Sequence, residues 1–170
     1  MKVDIREFKK ILIFGVSGAG KTTFARRISK DLDFYPVFMD QHLWLEYWKR
    51  KSDKEFIKSI DAELECEKWV LEGALPRFVI KYAHESNIVI WIKVSKYKAI
   101  FRVISRMIKN RNRSRVELPD GCVEKLNFKF LSWIWHYSQK EKLIIDHLKK
   151  NNIKYIITSN WEEFLSNHSL

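Results

Sequence analysis

Residues 15–23 read GVSGAGKTT, preceded by the apolar run ILIF (11–14) and followed by FARRISKDL (24–32). The stretch matches G-x-x-x-x-G-K-[ST], the Walker A loop whose backbone amides wrap phosphates. Its glycines let N–H groups approach an anion closely, and a helix opening at Lys21 adds the positive end of its dipole. Lys21 is placed to reach the β- and γ-phosphates, and the Thr22 hydroxyl is placed to meet Mg²⁺. Gly15, Ser17, Gly18, Ala19, Gly20, Lys21, Thr22 and Thr23 therefore form the expected nucleotide-binding set, with ATP and Mg²⁺ as cofactors. A strand before the loop and a helix after it are the context this mechanism needs.

The rest of the chain alternates apolar runs with helical patterns. VFMD (37–40), WVLEG (69–73), NIVIWIKV (87–94) and KYIIT (154–158) read as four further strands, with a turn at Tyr35-Pro36 before the first of them. Helices are expected over 21–31, 52–68, 77–85, 96–110 and 123–150, the last in one or two pieces, and WEEFL (161–165) opens another. Ser52 followed three residues later by Glu55 is a capping box, and Phe56, Ile60 and Leu64 recur every four residues, as one helix face requires. Continuously apolar strands, each separated by a helix, imply a parallel sheet covered on both faces. The expected architecture is α/β: three layers, α/β/α, around a five-stranded parallel sheet. No repeat and no Pro/Gly/Ser-rich linker divides residues 1–170, so a single domain is expected.

An apolar content of 46% over 170 residues suffices for a core without disulfide or metal staples. Cys66 and Cys122 lie far apart with no CxxC, which reads as two reduced thiols. The N-terminus MKVDIREFKK is charged, and no apolar run approaches the about 18 residues of a membrane span. A cytoplasmic protein without a membrane partner is expected. The net charge of +11 fits nucleic acid, a pocket for several phosphates, or a solvated face, and does not decide among them.

Two carboxylates stand where the chemistry needs them. Glu72 ends a strand next to the phosphate loop, where it can order Mg²⁺ or its waters. Asp40 ends the second strand, where it can orient or deprotonate an acceptor hydroxyl, or bind Mg²⁺ through water. The strand ending in Trp91-Ile92-Lys93 supplies no acid, so the metal set is Thr22, Asp40 and Glu72. Arg77, just beyond Gly73 and Pro76, can grip a second anion with its planar fork. Trp44 and Trp48 can stack an acceptor ring or form a local hydrophobic cover. His42 reads as a polar surface residue.

The segment WVLEGALPR (69–77) resembles the DG-PR segment of adenylate kinase and other nucleoside monophosphate kinases, in which the arginine holds the acceptor's phosphate. Nearly the whole chain resembles the adenylate-kinase-like P-loop proteins called DNA topology modulation proteins, of the FlaR type. The likeness runs through the phosphate loop, MDQHLW (39–44), WVLEGALPR, FRVISRMIKNRNRSR (101–115), PDGCVEKLNFKFLSWIW (119–135) and the terminal strand and helix. It implies an adenylate-kinase-like fold with a small basic lid over about 110–122. In such enzymes a mobile lid brings arginines onto the triphosphate. Arg102 and Arg106, four apart on one helix face, and Arg111, Arg113 and Arg115 beyond them fit that role. Arg106 joins the nucleotide-binding set. Lys21, Asp40, Arg77, Arg111, Arg113 and Arg115 form the catalytic set. The sequence departs from the family pattern in carrying Glu72 where Asp is usual, and Ala74 and Leu75 in place of more polar residues.

The expected function is an ATP-dependent phosphotransferase, a nucleotide or other small-molecule kinase that passes the γ-phosphoryl group to an acceptor. A lid matters for such an enzyme because water otherwise competes as acceptor. The alternatives are a nucleic-acid-associated ATPase or DNA topology modulator, and a nucleotide-binding regulator without turnover.

Overall fold

The computed structural model describes residues 4–110, 118–119, 121–123 and 127–167. Five strands, β1 (Lys10–Phe14), β2 (Tyr35–Phe38), β5 (Trp69–Gly73), β6 (Ile88–Ile92) and β7 (Tyr155–Thr158), form one parallel sheet in the order β2-β5-β1-β6-β7. Residues of β1 alternate between two cores, as the twofold period of a strand dictates. Ile11 and Ile13 face a layer built by Phe24 and Ile28 of α1 (Lys21–Leu32) and by Ala99 and Val103 of α5 (Lys96–Lys109). Leu12 and Phe14 face Phe56 and Ile60 of α3 (Asp53–Glu63), Phe78 and Val79 of α4 (Pro76–Ala83), and Ile144 and Leu148 of α7 (Tyr137–Lys150). The three-layer α/β/α arrangement expected from the sequence is the one observed. These side chains are almost wholly buried, and each Val, Leu, Ile or Phe among them stabilises the fold by about 1.5–3 kcal/mol.

The capping box forms: Glu55 N–H donates to Ser52 Oγ at 3.3 Å, and Ser52 N–H donates to Glu55 Oε2 at 2.9 Å. The long C-terminal helical stretch is two helices, α6 (Phe128–Trp135) and α7, broken at His136. Asn127 starts α6 by accepting hydrogen bonds from Lys129 N–H and Phe130 N–H. A last helix, α8, spans Trp161–Asn167.

Three features differ from the sequence expectation. Tyr35 and Pro36 are not a turn but the start of β2, which is an edge strand and so has no need of a proline N–H on its open side. Strand β2 stops at Phe38, and Asp40 lies in the first turn of a short helix, α2 (Met39–Leu43). The cause is a close approach: a Cβ on Gly73 would meet Met39 Sδ at 2.1 Å, so Met39 caps the end of β5 and the chain turns off the sheet. Met39 and Leu43, one turn apart, bury the same helix face. The third difference is a small hairpin of β3 (Trp44–Leu45) and β4 (Lys49–Arg50), whose turn holds Tyr47 and Trp48 at φ of 57° and 60°.

Candidate active site

The phosphate loop leaves β1 at the C-terminal edge of the sheet, between β5 and β6. Its path against α5 is tight: at Gly18 (φ 86°) a Cβ would lie 2.5 Å from the Ala99 carbonyl oxygen, so only glycine fits. From the same helix Arg102, one turn beyond Ala99, donates to the carbonyl oxygens of Gly18 (3.3 Å) and Ala19 (3.4 Å). Helix α1 then begins at Lys21 behind Gly20, with no side chain capping its first amides. That is a phosphate-ready helix N-terminus.

Glu72 joins the parts. β5 pairs with both β1 and β2, so Glu72 stands in register with Ile13 on one side and Phe38 on the other. Its carboxylate accepts a 3.2 Å hydrogen bond from the Thr22 hydroxyl through Oε1, while Oε2 lies 3.9 Å from Lys21 Nζ. Lys21 also donates to the Val16 carbonyl at 3.3 Å. Lys21 and Glu72 are 8% and 5% exposed, so their attraction is little screened by water. Among the described residues no cluster of three or more His, Cys, Asp or Glu side chains could hold a metal. Thr22 and Glu72 instead present hard oxygens beside a phosphate cradle, a donor set that suits Mg²⁺, which takes one or two protein oxygens together with phosphates and water.

Asp40 comes to the same edge of the sheet through α2. The buried phenol of Tyr137 marks the neighbourhood: its hydroxyl donates to the Ala74 carbonyl at 2.6 Å. Burial holds this phenol well above the usual tyrosine range, and the charges of Glu141, Asp40 and Glu72 push it further in the same direction. Tyr137 thus pins the turn that joins Glu72 to Arg77. One turn on along α7, buried Glu141 accepts a 3.1 Å hydrogen bond from Trp91 Nε1–H. Burial raises the Glu141 carboxyl above the ordinary carboxylate range, against the opposing pull of that hydrogen bond and of the Lys93 charge. Sequence reasoning missed Tyr137 and Glu141. The available signal was a glutamate in line with Tyr137, Ile144 and Leu148 on the apolar face of α7.

Arg77 lies apart from the lysine and the threonine. It sits in the first turn of α4 and donates to Asp53 Oδ1 at 2.5 Å, while Arg50 donates to the same oxygen at 2.8 Å. Both arginines border an open groove of about 780 Å³ whose walls include Leu43, Trp44, Leu75 and Ile80. Trp44 meets Trp48 edge-on, with ring centroids 5.5 Å apart. His42 does not reach the groove: its Nδ1 is 2.7 Å from Ser59 Oγ, and burial lowers its pKa.

Of the basic residues, Arg102 is fixed to the loop backbone and Arg106 is half-buried one turn further along α5. Arg111, Arg113 and Arg115, with most of the expected lid, lie outside the described residues. The far end of that segment is held by the hairpin. Trp48 N–H donates to Cys122 Sγ at 3.3 Å, Cys122 Sγ donates to the Leu45 carbonyl at 3.3 Å, and Trp48 Nε1–H donates to the Val123 carbonyl at 2.9 Å. Cys122 is therefore a buried, internally bonded thiol. This clasp was not foreseen. No helix among the described residues is long and apolar enough to cross a membrane.

No protein-family model matches the sequence, and no curated protein matches it. Among solved structures the chain is similar to a deoxyadenosine kinase from M. mycoides with bound dATP, at 16% identity and a TM-score of 0.51, covering 92% of this chain and 95% of the other. It is also similar to a gluconokinase from Sinorhizobium meliloti 1021, at 12% identity and a TM-score of 0.52, covering 94% and 88% respectively. At such identities the likeness is one of fold. The chain shares their α/β fold: a five-stranded parallel sheet whose strand β1 runs into the Gly15–Gly20 loop and then helix α1.

Proposed function

We propose that the protein is an ATP-dependent small-molecule kinase that transfers the γ-phosphoryl group to an acceptor hydroxyl or phosphate. The single observation that carries this reading is the contact of one carboxylate, Glu72, with both Lys21 and the Thr22 hydroxyl at the mouth of the phosphate loop. In the mechanism that follows, the loop amides and the N-terminus of α1 bind the triphosphate, and Lys21 neutralises charge on its β- and γ-phosphates. Thr22 and Glu72, with Asp40, would hold Mg²⁺, which would supply Lewis-acid stabilisation of the transferring group. Asp40 orients the acceptor and takes its proton, while Arg77 holds the acceptor's anionic group. Arg106 from α5, and Arg111, Arg113 and Arg115 from the expected lid at about 110–122, are assigned to the triphosphate. Water is excluded at the moment of transfer. The chain acts as a single domain in the cytoplasm.

The resemblance to the DNA topology modulation proteins belongs to the same proposal, as kinship within the adenylate-kinase-like group. A second reading, a nucleic-acid-associated ATPase, draws on the net charge of +11. Binding of ATP·Mg²⁺ and steady-state ADP release, measured for the wild type and for Lys21→Ala, test the first reading. Lys21→Ala is expected to remain folded and to lose productive ATP binding. Unchanged nucleotide affinity and turnover in that variant would remove the proposal, and ADP release that rises only with DNA or RNA would favour the second reading.

A further inference from the structure

The groove beside Arg77 says what sort of acceptor the enzyme takes, and this inference rests on the kinase reading above. Two of the groove's residues lie close along the chain to the two carboxylates: Leu43 is one helical turn beyond Asp40 on α2, and Leu75 follows Glu72 by three residues. Its volume of about 780 Å³ suits a small molecule. At one border two guanidinium groups converge on a single carboxylate oxygen, Asp53 Oδ1, at 2.8 Å from Arg50 and 2.5 Å from Arg77. One carboxylate cannot neutralise two arginines, so a net positive charge and unused N–H donors remain on the pair. All three side chains are about half exposed, so an incoming anion can join or replace Asp53 without breaking a buried pair. Planar forks of this kind recognise carboxylate and phosphate oxygens in pairs.

The walls are of another character. Among the described residues lining the groove, Arg50 and Arg77 are the charged ones, and the rest are Leu, Ile, Pro and Trp side chains. Among these described lining residues no side-chain hydroxyl, carboxamide or imidazole stands to read the rim of hydroxyls on a sugar or the hydrogen-bonding edge of a base. A polyhydroxylated body or a nucleobase would give up its water without replacement, and each such lost partner is costly. An apolar ring or branched hydrocarbon loses nothing of the sort and gains the face of Trp44.

We infer that the acceptor is a hydroxylated organic acid with an apolar, ring-sized body, its anionic group at Arg50 and Arg77 and its hydroxyl toward Asp40. The hydroxyl oxygen attacks the γ-phosphorus, the bond from that phosphorus to the β-phosphate bridging oxygen breaks, and the hydroxyl proton passes to Asp40. The products are ADP and a phosphate monoester of the acid. Arg50 thereby becomes a specificity residue that the sequence did not single out.

The test uses the whole protein with 4-(hydroxymethyl)benzoate as probe, its methyl ester as the neutral control, and gluconate and AMP as polar-bodied anions. Binding is read from tryptophan fluorescence in the presence of ADP, and transfer from the phosphorylated product formed with ATP. The expected result is binding of the benzoate at least about tenfold tighter than the ester, gluconate or AMP, with a loss of about tenfold in each of Arg50→Ala and Arg77→Ala. Tighter binding and phosphorylation of gluconate or AMP would overturn the inference while leaving the kinase reading intact. Equal binding of acid and ester, or affinity for the acid unmoved by Arg50→Ala, would overturn it as well. Arginine-dependent binding of the acid with no phosphorylated product from any probe would support the groove's ligand class and sink the kinase reading.

Discussion

Lys21 and Glu72 face each other at 3.9 Å, both almost wholly buried, one opening α1 and the other near the end of β5. Removing two such charges from water is expensive, and their mutual attraction offsets that cost only in part. In the proposed enzyme a nucleotide phosphate would give the lysine a second anion, and Mg²⁺ would give the carboxylate a second cation.

Replacing Glu72 by Gln keeps its shape and its hydrogen bond from Thr22 but removes its charge. Turnover is expected to fall by about a hundredfold or more and to need a higher Mg²⁺ concentration for half-saturation. Asp40→Asn is expected to lower turnover too, with a smaller change in Mg²⁺ requirement. A Mg²⁺ titration of ADP release checks both. Normal metal dependence in both amide variants would mean that another carboxylate serves the metal.

Glu141 gives a pH signature. Its folded-state pKa is raised by burial, so the folded protein favours the protonated carboxyl. The stability this residue contributes is full below the ordinary value of 4.5 and is lost as pH rises through the raised value. Glu141→Gln cannot ionise, and its carbonyl oxygen still accepts from Trp91 Nε1–H. Thermal unfolding is expected at a higher Tm than wild type near pH 8, with the gap closing as pH falls below 4.5. A Tm difference that does not change with pH would contradict this assignment.

The clasp between the β3–β4 hairpin and residues 121–123 predicts the behaviour of a thiol. Cys122 is fully buried and Cys66 half-buried, so iodoacetamide should label Cys66 first. Trp48→Phe removes the indole N–H bonded to Val123 at a cost of about 1 kcal/mol, which should speed labelling of Cys122 about fivefold. Mass spectrometry of the labelled peptides measures both rates. Equal labelling of the two thiols in the wild type would show that the clasp is open in solution.

Much of the fold was legible because its signals are local. The phosphate loop, the apolar strands and the Ser52–Glu55 cap each lie within a few residues, and each formed. What escaped depends on contacts between distant segments. Asp40 left its strand because Met39 packs on Gly73, 34 residues away by number, a closeness that no periodicity encodes. The hairpin strands are two residues each, too short to alternate, and their turn puts the bulky Tyr47 and Trp48 in a backbone region that sequence reading reserves for glycine or asparagine. In the site, Lys21, Thr22 and Glu72 were readable from motif and strand order. Arg50 was not, because its partnership with Arg77 runs through Asp53. Arg102 shares a helix face with Arg106, yet the packing of α5 against the phosphate loop gives it loop carbonyls as partners.

Phosphoryl transfer itself is the central claim, and ATP with an ¹⁸O-labelled γ-phosphate follows it directly. The protein is incubated with this ATP, Mg²⁺ and the acceptor acids, and the label is located by mass spectrometry. Label is expected on an organic acceptor as a phosphate monoester, with one equivalent of ADP per product and loss of both in Lys21→Ala. Label found solely in inorganic phosphate, whatever acceptor is supplied, would contradict it.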